Sequence, residues 1–265
     1  MMDLAALDQH PAFMYAMVVA FGLVIGSFLN VCIWRIPRDQ SIMHPPSACP
    51  KCGARIRPWQ NVPVLGWIML KGRCAVCREP ISTRYPVVEA LNGALYASVL
   101  WRYGWGWPLV PLCAFVSALV VITYIDLDFQ IIPDRITVGG TPIALMAGAF
   151  LLPDAFDRMA ALGWAASLIG SASGFGLFFL IAWLSRGGMG GGDIKMMALV
   201  GAMLGWKGVF LTTFAGSLAG SVAGIGLMVA KGAGRKAKVP FGPFLALGAY
   251  GTLMFGQEAI RWYLG

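Results

Sequence analysis

A glycine-rich stretch at the mouth of an apolar segment places one carboxylate, Asp193, where an acid is unexpected. A charge at the edge of hydrocarbon is costly, so an ionisable group there is a candidate for catalysis. Glycine lacks a Cβ, so Gly190 and Gly192 would let an extended peptide approach this acid, and we predict that both bind substrate. A plain turn with Asp193 as the helix N-cap is the alternative.

A second acidic motif, in which Asp126 and Asp128 are followed by Pro133 and Asp134, closes another apolar run. Two carboxyls that meet in one pocket do not ionise together readily, so one keeps its proton. The ionised member can deprotonate an attacking water, and the protonated member can hydrogen-bond a peptide carbonyl. We predict that Asp126 and Asp193 form this catalytic pair. Asp128 is the rival of Asp126 and otherwise contacts substrate, whereas Asp134 is expected to cap the next helix.

Four cysteines form two CxxC pairs, Cys49 with Cys52 and Cys74 with Cys77, separated by twenty-one residues. This spacing is typical of a structural zinc site in which four thiolates surround the ion. A redox motif would need a thioredoxin-like βαβ context, which is missing. We therefore predict that these cysteines bind Zn²⁺, with metal-free thiols as the alternative. A small core is expected over the metal, from Trp59, Asn61, Pro63 and Trp67.

These motifs resemble those of the type IV prepilin peptidases, which are GxGD intramembrane aspartyl proteases. The stretch Gly26–Val31 and the paired cysteines are similar to those of the bifunctional bacterial members. The resemblance implies an endopeptidase that removes a basic leader from type IV prepilins or type II secretion pseudopilins. It also implies N-methylation of the new N-terminus with S-adenosylmethionine. Since no GxGxxG motif is visible, this cofactor rests on the resemblance alone.

The chain is too apolar for a soluble domain, because 58% of its 265 residues are hydrophobic and the mean hydropathy is +0.72. We predict an all-α polytopic membrane protein with about eight transmembrane helices, at 13–34, 87–101, 109–125, 136–152, 161–184, 193–206, 209–230 and 241–262. The first is expected to be a retained helix and not a cleaved signal peptide. Three regions follow: the first transmembrane helix (1–34), a zinc-binding loop (35–85) and the protease core (86–265).

The distribution of basic residues predicts the orientation of these helices. Residues 35–85 contain nine of the twenty Lys and Arg residues, so the positive-inside rule makes this loop cytoplasmic. Sixteen basic residues then fall inside, and four fall outside: Arg102, Arg158, Lys207 and Arg261. Both termini are expected outside, with both acidic motifs at the cytoplasmic face of a bacterial inner membrane. Topology thus explains the net charge of +8, and we expect lipid, not nucleic acid, as the partner.

Two polar side chains inside predicted spans need partners. Glu89 lies just within the second span, where it is expected either to pair with Arg84 or Arg35 or to bind the substrate. An interhelical hydrogen bond is one explanation for Asn30 in the first span.

Other activities fit the sequence less well. A proton-coupled transporter is the main alternative, since paired intramembrane acids also relay protons, but the internal repeat of many transporters is not visible. An assembly subunit that docks through the zinc loop would leave the acids unexplained. A serine or zinc protease is disfavoured because the only histidines, His10 and His44, lie in polar segments and no HExxH motif is present.

Overall fold

The computed structural model describes residues 11–186, 188–231 and 240–264. Within them, helices are the regular elements, accompanied by isolated β-bridges. The α-helices are α1 (Pro11–Arg35), α2 (Leu65–Met69), α3 (Arg84–Tyr103), α4 (Leu109–Phe129), α5 (Asp134–Phe150), α6 (Gly163–Leu184), α7 (Gly191–Lys231) and α8 (Gly242–Leu264). The predicted all-α class is confirmed to this extent. The first ten residues and the basic residues Arg235, Lys236 and Lys238 lie outside the described ranges.

Four helical stretches are long and apolar enough to cross a membrane: Pro11–Arg38, Leu109–Phe129, Gly163–Leu184 and Gly191–Gly226. The first three stretches coincide with the first, third and fifth predicted spans. The fourth stretch covers both the sixth and the seventh predicted spans. The chain is therefore a helical membrane protein. The count of eight spans stays a prediction.

The chain divides into two compact units, Met1–Trp105 and Gly106–Gly265. In the first unit, α1 packs on α3 through a glycine contact, because a Cβ on Gly26 would lie 2.7 Å from the Cα of Glu89. The Nδ2 group of Asn30 on α1 donates a hydrogen bond to the carbonyl of Tyr85 on α3 at 3.1 Å. The interhelical hydrogen bond considered for Asn30 is thus present.

In the second unit, α7 bends back on itself at Gly205. This residue has φ 69° and ψ 179°, a left-handed conformation that glycine adopts without steric cost. A Cβ on Gly174 of α6 would meet both the carbonyl of Met197 and a methyl group of Val209. The segments before and after Gly205 therefore pack against the same helix.

Helix α6 buries mainly small residues and exposes several large apolar side chains. Gly174 is buried against α7, whereas Trp164, Phe179 and Trp183 are 71%, 55% and 68% exposed. Such a surface would be unfavourable in water. It suits lipid, where small residues let helix backbones approach and large ones face the acyl chains.

We expect Gly174→Val to destabilise the protein, because its side chain would overlap the backbone of α7. Overpacking of this kind costs about 1–3 kcal/mol. The matched control is Gly176→Val on the same helix, where an added Cβ meets nothing within 4 Å. Melting temperatures of both variants in detergent would test this. Equal melting temperatures would contradict the packing described here.

Candidate active site and metal centre

Asp126 lies in the last turn of α4, where it points into the second unit. The helix ends at Phe129, and Gln130 adopts a left-handed conformation (φ 55°) while donating its N–H to the Asp126 carbonyl at 2.9 Å. The Asp126 side chain is buried, with 5% exposure, whereas Asp128 is exposed. Residues two apart on a helix point about 200° away from each other. The structure therefore separates the two rival acids of this motif.

Asp193 lies in the first turn of α7, half-buried. Its N–H donates to the carbonyl of Gly190 at 3.2 Å, which closes the turn before the helix. Its carboxyl is close enough to Asp126 for the charge of one to act on the other. The fold thus places the two acids within electrostatic reach of each other, although they are far apart in sequence. Their catalytic pairing stays a prediction.

The glycines before Asp193 face other parts of the chain itself. A Cβ on Gly192 would lie 2.8 Å from the Cβ of Ile132, in the segment that joins α4 to α5. A Cβ on Gly190 would lie 3.2 Å from Oδ2 of Asp193. The missing side chain of Gly192 therefore allows the two acidic segments to approach each other. A substrate contact for either glycine stays a prediction.

An ion pair joins the two acidic segments a second time. Asp134 was expected to cap α5, but the N-cap is Pro133, so that expectation is wrong. The Asp134 oxygens instead receive the Lys195 ammonium at 2.7 and 2.8 Å. Because both side chains are partly exposed, the pair adds at most about 1 kcal/mol of stability. Nothing in the sequence pattern indicated this pairing across sixty-one positions.

A third segment reaches Asp126 from the end of the chain. The N–H of Gly242, the first residue of α8, donates to Oδ2 of Asp126 at 2.9 Å in a buried position. Sequence analysis missed Gly242. The only available signal was a glycine before a proline at the start of an apolar run, which also fits an ordinary helix start.

Glu89 contacts the zinc loop. Its buried carboxylate accepts the N–H of Val64 at 2.7 Å. The predicted partner Arg35 instead donates to two loop carbonyls, those of Ser41 and Pro45. Glu89 thus accepts a hydrogen bond from the zinc loop within its own unit. A substrate contact of Glu89 stays a prediction.

Val64 has an unusual backbone conformation that Glu89 holds in place. It lies at φ 60° and ψ −53°, and the N–H of Leu65 donates to the carbonyl of Pro63 at 2.6 Å. This is a γ-turn of the rare positive-φ type, which is strained for a β-branched residue. Such a conformation persists only when surrounding contacts enforce it. The bond to Glu89 is such a contact, and it fastens the loop to α3.

The four predicted zinc ligands come together in the first unit. The sulfur atoms of Cys49, Cys52, Cys74 and Cys77 all lie within 4.8 Å of one another, and those of Cys49 and Cys77 are 3.8 Å apart. A tetrahedral zinc ion with Zn–S distances of about 2.3 Å requires sulfur separations of about 3.8 Å. The cluster therefore fits Zn²⁺.

The backbone around each cysteine pair has the same form. The N–H of Gly53 donates to the Cys49 carbonyl at 2.9 Å, and the N–H of Arg78 donates to the Cys74 carbonyl at 3.1 Å. Both donors are left-handed, with φ 69° and 62°. Two equivalent tight turns thus present the sulfur atoms.

Backbone amides favour the thiolate form of two of the four cysteines, Cys74 and Cys49. Hydrogen bonds from the N–H groups of Cys77 and Val76 lower the pKa of Cys74 to about 6. Those of Cys52 and Lys51 lower the pKa of Cys49. Since the thiolate is the form that binds metal, these bonds favour coordination.

The predicted core over the metal is only partly present. Trp67 is half-buried and donates its indole N–H to the carbonyl of Ile81 at 3.1 Å. Trp59, however, is 60% exposed, with the Arg57 guanidinium 5.2 Å from its ring centroid. The prediction that Trp59 is a core residue is therefore wrong, because the loop is too small to cover it.

Two family comparisons match the two units separately. Residues 20–103 match the family described as Bacterial Peptidase A24 N-terminal domain, and residues 113–225 match the Type IV leader peptidase family. The first match contains the four cysteines and the second contains both Asp126 and Asp193.

Curated relatives match over nearly the whole chain. A protein of Aeromonas hydrophila named prepilin leader peptidase/N-methyltransferase is 33% identical over 96% of this chain and 95% of its own. A protein of Neisseria gonorrhoeae with the same name is 33% identical over 100% and 98%. One of Myxococcus xanthus, also so named, is 42% identical over 80% and 62%. No solved structure matches the chain.

We expect one zinc ion per chain in the purified protein and its loss in Cys74→Ser, because three thiolates cannot close the tetrahedron. Elemental analysis after extensive dialysis would measure this. Cys113→Ala is the control, since Cys113 is a buried cysteine on α4. Zinc retained in Cys74→Ser at the wild-type level would contradict the proposed ligand set.

We expect Glu89→Ala to free the N–H of Val64 and to loosen the loop. Hydrogen exchange at residues 62–66 should become at least tenfold faster in this variant, as the amide loses its buried acceptor. Glu89→Gln, whose amide oxygen still accepts a hydrogen bond, should retain most of the protection. Unchanged exchange in Glu89→Ala would show that other contacts hold the turn.

Proposed function

The chain belongs to the type IV leader peptidase family, and we propose that it is a membrane aspartyl endopeptidase and N-methyltransferase of prepilins or pseudopilins. Both activities appear in the names of curated relatives that match along most of the chain. The observation that carries the peptidase proposal is that the segments bearing Asp126 and Asp193 at their helix ends pack together, through the contact of Gly192 with Ile132 and the ion pair of Lys195 with Asp134.

In this proposal the two carboxyls share one proton and act on one water molecule. The ionised carboxyl removes a proton from the water as it attacks the scissile carbonyl. The protonated carboxyl hydrogen-bonds the carbonyl oxygen and then helps protonate the leaving amine. No covalent intermediate with the chain is formed. The pair acts as a unit, so acid and base are not assigned to single residues.

The substrate of this site is an N-terminal segment with a basic leader followed by an apolar helix. Asp128 is exposed one half-turn from the catalytic acid of its helix, where its charge would attract a basic leader. The carboxyls of Asp134 and Glu89 are engaged by Lys195 and Val64. Gly190 and Gly192 border the place that the extended segment would occupy.

The proposed location is the bacterial inner membrane, with the zinc loop and the acid pair at the cytoplasmic side. Four helical stretches suited to a membrane support the membrane location. The excess of basic residues in 35–85 supports the orientation. Eight spans with both termini outside complete this topology.

The proposed cofactors differ in how well the chain's residues account for them. The four cysteines fit a structural zinc ion, which would hold the loop together. S-adenosylmethionine would supply the methyl group of the second activity. In the described residues no strand–turn–helix segment of the nucleotide-binding type is present, so no step involving it is assigned to particular residues.

We expect Asp126→Asn and Asp193→Asn each to reduce leader cleavage at least a thousandfold, since neither variant can share a proton between two carboxyls. Purified variants in lipid nanodiscs would be assayed with a synthetic prepilin N-terminal peptide. Asp128→Asn should mainly raise KM for peptides with basic leaders. Full cleavage by Asp126→Asn together with loss in Asp128→Asn would reverse the assignment, and activity in all three would exclude the acid pair.

A further inference from the structure

The hydrogen bond between Gly242 and Asp126 links the proposed acid pair to the start of the last helix. It joins residues 116 positions apart, and both partners are buried. Gly242 lies beyond residue 225, where the match to the leader peptidase family ends.

The sequence at the start of α8 determines which N–H group is available to Asp126. The first N–H groups of a helix lack partners within the helix. Pro243 has no N–H, and the N–H groups of Phe244 and Leu245 both donate to the carbonyl of Phe241. The N–H of Gly242 is therefore the first-turn donor that is directed out of the helix, and Asp126 accepts it.

Asp126 needs such a donor because of its position on α4. It lies in the last turn, where the helix dipole opposes a negative charge and where its own helix supplies free carbonyls instead of N–H groups. The positive end of α8 lies against the same carboxylate and offsets this effect. One carboxylate oxygen, Oδ2, is thereby occupied by the amide.

A side chain at position 242 would displace the carboxyl group of Asp126. A Cβ there would lie 2.7 Å from Oδ2, 3.1 Å from Cγ and 3.3 Å from Cβ of Asp126. The carboxyl group would have to move by several tenths of an ångström, or its helix would have to shift. The glycine thus sets how closely α8 approaches the acid, and the amide sets how the carboxyl is turned.

We propose that Gly242 is a positioning residue of the peptidase site, which orients Asp126 so that Oδ1 is directed to the water shared with Asp193. This rests on the proposed function of the acid pair. The first turn of α8 is then a third component of the active site, beside the C-terminal end of α4 and the start of α7. Gly242 acts through Asp126 and makes no contact with the substrate.

Gly242→Ala is expected to lower kcat for leader cleavage by about 10- to 100-fold, because misplacing a catalytic group by up to 1 Å costs a factor of this size. KM should stay within about threefold of wild type, since the substrate contacts are unchanged. The matched control is Gly251→Ala on the same helix, where an added Cβ meets nothing within 4 Å. Its kcat and KM should both equal those of wild type.

A second variant separates the hydrogen bond from steric and folding effects. Replacing the amide before Gly242 by an ester, through incorporation of glycolic acid in cell-free synthesis into nanodiscs, removes the N–H without adding a side chain. It also weakens the Phe241 carbonyl as an acceptor, which the melting temperature monitors. The expected result is again a lower kcat with unchanged KM and a melting temperature close to wild type. This variant decides the case if Gly242→Ala fails to fold.

The two proposals fail in different ways. Inactive Asp126→Asn with wild-type kcat in the ester variant would overturn the role of Gly242 and leave the acid pair intact. Active Asp126→Asn would overturn the acid pair itself, and the role of Gly242 with it. A fall in kcat that is matched by Gly251→Ala would reduce Gly242 to general helix packing and overturn the proposal.

Discussion

The close approach of the two segments that carry Asp126 and Asp193 is the constraint on which the second unit of this protein depends. Like charges repel, and a membrane border stabilises them poorly, so the pair persists only if the surrounding backbone is rigid. Several contacts supply that rigidity. Gly192 packs against Ile132, Lys195 pairs with Asp134, and Gly242 donates to Asp126. Each joins segments that are far apart in the chain.

Glycine recurs in this fold where a helix backbone packs closely against another segment. Gly26 brings α1 against α3, Gly174 brings both parts of α7 against α6, and Gly242 brings α8 against a carboxyl group. In lipid the hydrophobic effect does not drive helices together, so close van der Waals contact has to hold the bundle. The same contacts position the polar groups of the proposed site.

The first unit is stabilised in a different way. Its loop is too small for a hydrophobic core, as the exposed Trp59 illustrates. Two equivalent turns instead present four sulfur atoms in a cluster that fits a zinc ion. A buried carboxylate, Glu89, then fastens the loop to a helix through a strained turn at Val64. Metal coordination and one hydrogen bond take the place of apolar packing.

The sequence alone determined the helical class, the four cysteines and the two acids, because composition, CxxC spacing and charges in apolar runs are local signals. It favoured Asp126 over Asp128, but it could not show which of the two side chains is buried, since that depends on which side of α4 faces its neighbours. It also gave no sign of the bonds from Gly242 and Val64 or of the pair between Lys195 and Asp134. Tertiary structure decided these, because a hydrogen bond between distant segments leaves no periodic trace in the chain.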